Sequence, residues 1–237
     1  GDQRIKDSQN AEREALRLVR VVSTSQQRLI DSTRHLLVSL SLLAEVRSLE
    51  GAACNALFSN LLKEYPLYAN LGAANVRGEQ FCSARPLIKA VNIADRSYFK
   101  LAVERKNFAI GDYQVGRVTG RASLNLGYPI RDHDGTIAGV VFAALDLAWF
   151  NQIVSAVNLP DHSSLAVYDR HGTVLARSPD SERLVGKSLP EADIVRTVLM
   201  KGEGITEAVG LDGKKRLYGF TSIRDASRQG QIFFHLG

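Results

Sequence analysis

Methionine is nearly missing from this chain. Met200 is the only one among 237 residues, and the first residue is Gly1. A natural chain starts with methionine, so the sequence reads as a processed protein or as a piece of a longer one. Long apolar runs are missing as well. A helix needs roughly 18 apolar residues to span a bilayer, and the nearest candidate, Val140 to Phe150, is short and carries Asp146. No signal peptide is recognisable either, so the membrane anchors of any membrane-bound parent lie outside these residues. Blocks of like charge are absent although the net charge is +5. A nucleic-acid footprint would be clustered, which excludes that partner class, whereas a mild positive balance suits an anionic ligand or a nearby anionic membrane.

Catalytic signatures are lacking too. There is no Gly-x-Ser-x-Gly elbow, no His-Glu-x-x-His and no P-loop. The glycines and arginines between Gly111 and Gly120 lack the Gly-Lys-Ser/Thr that a phosphate cradle needs. His35, His133, His162, His171 and His235 are scattered, so no metal, cofactor or general base is expected from them. An enzyme is therefore disfavoured for this chain. Cysteine occurs twice, as Cys54 and Cys82, without a Cys-x-x-Cys pair, which excludes a zinc site of the usual spacing. The two are either unrelated buried thiols or one disulfide pinning a helix to a strand. The disulfide is adopted here, since an extracytoplasmic location would permit it.

What is present is ordinary globular composition, 45% apolar and 23% charged. Neither proline nor glycine occurs between Asp2 and Glu50, which predicts one long helix over residues 5–49. Ala15, Val22, Leu29, Leu36 and Leu43 recur every seven residues. A companion column of Ala11, Leu18, Ser25, Ser32, Ser39 and Val46 is polar in its middle. A strict coiled coil wants both columns apolar, so this seam is half-specified and allows a weak parallel homodimer. Gly51 is expected to break the helix, with a second one over 52–63 ending at Tyr65-Pro66. Four hairpins follow. They pair 68–75 with 79–84, 123–131 with 136–147, 165–169 with 173–178, and 205–211 with 214–223, around Gly78, Gly135, Gly172 and Gly213. A helix over 190–200 falls between the last two. The fold class is α+β: a helical spine, residues 1–50, carrying two similar units at 51–157 and 158–237. The phrases Ile130 to Thr136 and Val167 to Thr173 resemble each other and suggest the duplication.

The run from Ala94 to Phe150 reads as a binding pocket. Arg96 can grip a carboxylate with two parallel hydrogen bonds, and Tyr98 offers an apolar wall with a polar tip. Asp146 ends an otherwise apolar strand and shares a face with Ala144, Phe142 and Val140, so it needs a partner: a ligand group or a structural arginine. Tyr113, Gln114 and Arg117 lie in a loop-like stretch able to close over a ligand. Asn125 and Tyr128 fall on opposite strand faces, and Tyr128 is taken as the one facing the pocket.

Asp95-Arg96-Ser97-Tyr98-Phe99, Gly127-Tyr128-Pro129-Ile130, Gly139-Val140-Val141 and Leu145-Asp146-Leu147, together with Val185-Gly186-Lys187-Ser188-Leu189 and the closing Gln231-Ile232-Phe233-Phe234, are similar in order and spacing to the double Cache sensor family. The resemblance covers nearly the whole chain. It implies two PAS-like units on one long N-terminal helix, forming the periplasmic or extracellular domain of an inner-membrane bacterial receptor. The first unit would be membrane-distal and ligand-binding. The output part would be a histidine kinase, with a diguanylate cyclase, a chemoreceptor or a partner-binding ectodomain without a small ligand as alternatives. The amino-acid-binding branch of the family shows arginine, any residue, tryptophan and tyrosine, whereas this chain has Arg96-Ser97-Tyr98-Phe99. A small organic acid is therefore favoured over an amino acid.

Overall fold

The computed structural model describes residues 1–224 and 230–237. Contacts divide the chain into one unit of residues 29–150 and another of residues 1–28 with 151–237. The N-terminal helix α1 (Asp2–Ser41) contributes its last part to the former and its first part to the latter.

The helix ends eight residues before the expected Leu49. No glycine or proline marks the stop. Ser39 and Ser41 hydrogen-bond back to the carbonyls of His35 and Val38 (3.0 and 2.7 Å), and the N–H groups of Leu42 and Leu43 tighten to i−3 acceptors. A short helix α2 (Ala44–Arg47) follows, and Gly51 then begins α3 (Gly51–Glu64) instead of breaking a helix. The heptad column also drifts off the buried face. The buried positions are Ala15, Val19, Val22, Gln26, Ile30, Thr33, Leu37 and Leu40, at spacings of three and four residues. A straight helix turns every 3.6 residues and slips about 20° per heptad, so Leu29 and Leu36 of the column are only half-buried, and Leu43 falls beyond the end of the helix. Two polar residues, Gln26 and Thr33, complete the stripe and hid it from a purely apolar count.

The unit of residues 29–150 holds a five-stranded antiparallel sheet, built from β1 (Tyr68–Asn75), β2 (Gln80–Ser83), β3 (Ala109–Val115), β4 (Ala122–Arg131) and β5 (Ile137–Asp146), in the order β2-β1-β5-β4-β3. Tyr68, paired with Leu145, meets α1 on one face through a 2.6 Å hydrogen bond to Thr33. The other face is covered by α4 (Ser97–Arg105), in the connection between the first two hairpins that the sequence left as helical or irregular. Tyr98, Phe99 and Ala102 of α4 pack on Ala74, Val140 and Phe142. Gly127 permits this approach, because a Cβ there would stand 3.0 Å from the Tyr98 carbonyl oxygen. Cys54 of α3 and Cys82 of β2 form the disulfide, joining a helix to a strand as expected.

The other unit holds β6 (Leu165–Asp169), β7 (Val174–Ser178), β8 (Gly204–Val209), β9 (Lys215–Arg224) and β10 (Gly230–Leu236), in the order β7-β6-β10-β9-β8. Three further helices follow β5: α5 (Leu147–Ser155), at whose Phe150/Asn151 bond the contact division falls, α6 (Ser181–Leu184) and one more. The last, α7 (Asp193–Lys201), covers one face of this sheet with Ile194, Val195 and Val198 against Tyr168, Tyr218, Phe220 and Phe233. Among the described residues no helix is long and apolar enough to cross a membrane.

Candidate functional site

Between α4 and its sheet lies a small cavity. Its floor is Asn70 of β1, Gln80 of β2, Phe142 and Ala144 of β5 and Asn125 of β4; Arg96 and Tyr98 stand over it at the start of α4. The strand register explains the floor. Asn70 and Asn125 both lie opposite Ala144, on the same pleat face. Each is a polar residue on the inward face of an apolar strand, and each is satisfied. Asn70 Nδ2 donates to Ser83 Oγ at 3.0 Å and its Oδ1 accepts the Arg85 N–H at 3.1 Å. Asn125 Oδ1 accepts the Ser123 hydroxyl at 2.7 Å, and its side chain also hydrogen-bonds the Tyr98 hydroxyl. Burial raises the Tyr98 hydroxyl well above its ordinary pKa, so it stays a neutral donor. Its ring lies 5.2 Å from that of Phe142.

The tip of the β3–β4 hairpin covers the cavity. Gln114, Gly116, Arg117, Val118 and Thr119 line it from above. Two arginines hold the tip in place. Arg117 binds Asp95 through two parallel hydrogen bonds of 2.6 Å each and donates to the Asn92 carbonyl at 2.8 Å. Arg96 Nη2 donates to the Val115 carbonyl at 3.0 Å. The Arg117 guanidinium holds the Asp95 carboxyl down to about 2. With the tip latched, the cavity encloses about 30 Å³, room for a water or two. A second recess of about 280 Å³ lies on the far side of Val91, Arg117 and Val118, bounded by Pro86, Leu87, Ile88 and Lys89. Those three residues line both spaces.

Of the residues expected at the site, Arg96, Tyr98 and Arg117 line the cavity together, and Gln114 does so as well. The stretch read as a loop is largely strand β3, with only its end forming the tip. Tyr113 is half-buried on β3 and Tyr128 lies on the sheet face opposite Asn125; neither lines the cavity. The strand parity was read correctly, but Asn125, and not Tyr128, faces inward. Asp146 keeps the expected face one step beyond Ala144, yet it too lies outside the cavity. Its Oδ2 accepts Arg121 Nη1 at 3.1 Å and its Oδ1 accepts the Ala148 N–H at 3.0 Å at the start of α5. Arg121 is thus a structural arginine partner for it, and the carboxylate also caps the helix that follows. Asn70 and Gln80 were missed, although an asparagine inside Leu67-Tyr68-Ala69-Asn70-Leu71 carries the necessary signal.

Comparison with known proteins matches residues 7–234 to the family model dCache_1, described as a Cache domain. Sporulation kinase D of Bacillus subtilis (strain 168) is 26% identical over 133 residues, covering 56% of this chain; the match spans 26% of that kinase's length. Among solved structures, the ligand-binding domain of the Pseudomonas fluorescens chemoreceptor CtaA in complex with L-isoleucine superposes with a TM-score of 0.74 at 18% identity, covering 99% of this chain and 94% of that one. The sensor domain of the V. cholerae histidine kinase DctB gives a TM-score of 0.69 at 16% identity, covering 98% of each.

Proposed function

Since this chain belongs to the Cache domain family, we propose that it is the extracytoplasmic sensor of a bacterial transmembrane histidine kinase and that the unit of residues 29–150 binds a small carboxylate beneath the β3–β4 tip. The kinase output follows from the likeness to Sporulation kinase D. The carboxylate follows from the lining. Arg96 and Arg117 are its charged members, Asn70, Gln80, Tyr98, Gln114 and Asn125 supply hydrogen bonds, and no acidic residue is among them. An amino acid, such as the L-isoleucine bound by CtaA, would need an anionic partner for its ammonium group. Two acids of the neighbouring elements are paired with arginines, Asp95 with Arg117 and Asp146 with Arg121.

The single observation that carries this reading is the pair of arginines at a cavity whose roof, a hairpin tip, is latched by the side chains of Arg96 and Arg117. A ligand larger than water requires Arg117 and Val118 to move, which joins the enclosed space to the neighbouring recess. Arg96, released from the Val115 carbonyl, then takes the carboxylate beside the Tyr98 hydroxyl. The ligand shifts the tip equilibrium only by its differential affinity for the two positions. The serine column of α1 remains exposed at Ser25, Ser32 and Ser39 and is open to a second copy in a homodimer.

A thermal-shift screen against organic acids, amino acids and amines tests the reading, because a ligand of the native state raises the melting temperature by mass action. An organic acid whose shift is lost in Arg96→Ala is the expected hit. A hit confined to amines, or one indifferent to Arg96→Ala, rejects this site.

A further inference from the structure

The second sheet repeats the first row by row. Asn75 Oδ1 accepts the N–H groups of Arg77 and Glu79 (3.0 and 3.1 Å), and Asp169 Oδ1 accepts those of His171 and Thr173 (2.9 and 3.0 Å). Glu79 then bridges to Asn92 as Thr173 does to Ser188. Ser97 Oγ accepts the Asp112 N–H at the start of α4, and Asp193 Oδ2 accepts the Val209 N–H at the start of α7. Asp132 Oδ1 makes the same cap with Asp134 and Thr136 (2.9 and 3.0 Å), so the strand order decides: β2-β1 at one edge corresponds to β7-β6, and the equivalent of the first hairpin turn is the turn at Asp169, not the one suggested by the likeness of Ile130–Thr136 to Val167–Thr173. With the turns aligned, Gly72 with its neighbours Ser83 and Phe142 corresponds to Ala166 with its neighbours Arg177 and His235. Gly127 corresponds to Phe220, and two residues before them Asn125 corresponds to Tyr218.

The sheet face that turns toward the first cavity therefore carries a different side-chain set in the second unit. Arg177, His235, Tyr168 and Tyr218 are all buried there. The His235 ring lies 5.6 Å from Tyr168 and 5.0 Å from Tyr218, and Arg177 is close enough to act electrostatically on both His235 and Tyr218. Arg177 Nε donates to the Pro179 carbonyl at 3.1 Å. Its Nη1 has no acceptor among the described residues. Nor do the Tyr168 hydroxyl, either ring nitrogen of His235, the Gln231 amide or the Ser164 hydroxyl have partners. Every buried side-chain polar atom left without a partner among the described residues lies in this unit. The acids nearby act on Arg177 through space and pair with other arginines, Asp212 with Arg216 at 2.6 Å and Asp180 with Arg183 at 3.8 Å. Burial keeps His235 neutral, with its pKa down at about 3. Native proteins rarely leave buried donors unmet, and a buried cation without an anion is costly.

We propose that Arg177, Tyr168 and His235 form a second ligand site, in the unit of residues 1–28 and 151–237, for a small carboxylate of acetate or formate size. Arg177 supplies the charge, and the Tyr168 hydroxyl and one imidazole N–H supply further donors. The near-complete burial of Arg177, Tyr168 and His235 sets the size. This site does not rest on the reading of the first unit.

The test titrates the whole chain with acetate and formate, against chloride at matched ionic strength. It uses the unaltered protein, Arg96→Ala and Arg177→Met, and reads melting temperature and the ring nitrogen resonances of His235. The expected result is a rise of about 5–10 °C at a hundredfold excess over Kd in the first two proteins and none in Arg177→Met. His235 resonances in Arg96→Ala should move with the same Kd. Replacing a buried, unpaired cation by an apolar chain of similar length leaves a folded protein, and the His235 titration needs no change in this unit. His235 resonances indifferent to both anions overturn the proposal. So does a shift equal to that in chloride, one kept in Arg177→Met, or one lost in Arg96→Ala, which would put the whole effect in the first unit.

Discussion

Removing the Cys54–Cys82 disulfide gives the sharpest test of how the first unit is held together. The bond joins α3 to β2 across 28 residues of sequence and closes a loop containing the whole of β1. In the chain-entropy treatment, a closed loop of that length removes about 12 cal/mol/K from the unfolded ensemble, or about 3.6 kcal/mol at 25 °C. Both cysteines are fully buried, so the pair Cys54→Ala/Cys82→Ala also loses sulfur packing, and about 3.6 kcal/mol is a lower expectation. Trp149, the only tryptophan, lies in the same unit, so its fluorescence in urea follows the relevant transition. Hydrogen exchange should show protection falling at α3, β1 and β2 while β6 to β10 keep theirs. A loss below about 1 kcal/mol, or a loss spread evenly over both sheets, would refute the claim that the bond restrains this unit through its loop.

Asp95→Asn breaks the bidentate latch. The Asp95 side chain is 62% exposed, so the contribution is limited to about 1 kcal/mol despite its pKa near 2. Ligand dissociation, followed by stopped flow, should quicken about fivefold. Because the folded pKa is depressed, the latch is complete above about pH 4 and is lost as pH falls through about 2; unchanged dissociation kinetics in the variant would remove the latch from the mechanism. Gly127→Ala puts a Cβ 3.0 Å from the Tyr98 carbonyl and 3.2 Å from Val140 Cγ1, which should destabilise by about 1–3 kcal/mol in urea unfolding; a neutral result would mean that α4 shifts freely. Asp146→Ala removes a helix cap and the Arg121 ion pair, so stability should fall by about 1 kcal/mol or more with carboxylate affinity unchanged. A selective loss of affinity instead would return Asp146 to the ligand site.

The hairpins and both sheets were legible in the sequence because glycine turns and two-residue periodicity are local signals. Gly78, Gly135, Gly172 and Gly213 all adopt positive φ at the turns expected of them. The end of α1 at Ser41 was not legible, since serine back-bonding leaves no proline or glycine behind. Strand β3 was hidden by Gly111 and Gly116 and by a register shift between Ile110 and Tyr113, and α4 by the aromatic start of Ser97-Tyr98-Phe99. At the cavity, Arg96, Tyr98 and Arg117 could be chosen by their chemistry. Asn70, Gln80 and Asn125 could be placed only once the pairing of β1 and β4 with β5 was known, because only the register decides which face of a strand turns inward.

The two units make the same point about function within a single chain. They share strand order, turn caps and the bond that seats the covering helix, so the backbone presents equivalent rows to equivalent helices. The inward sheet faces nevertheless differ: Ser83, Phe142 and Asn125 in one, Arg177, His235 and Tyr218 in the other. In the first unit the cations stand in the roof, on the start of α4 and on the hairpin tip, where they can move with a ligand. In the second the cation stands in the floor, on β7, and the position equivalent to Arg96 is Ala192. A roof cation couples binding to displacement of the tip, whereas a floor cation couples it to the sheet itself. The first arrangement suits a switch, and the second suits an anion that stabilises the unit without moving it.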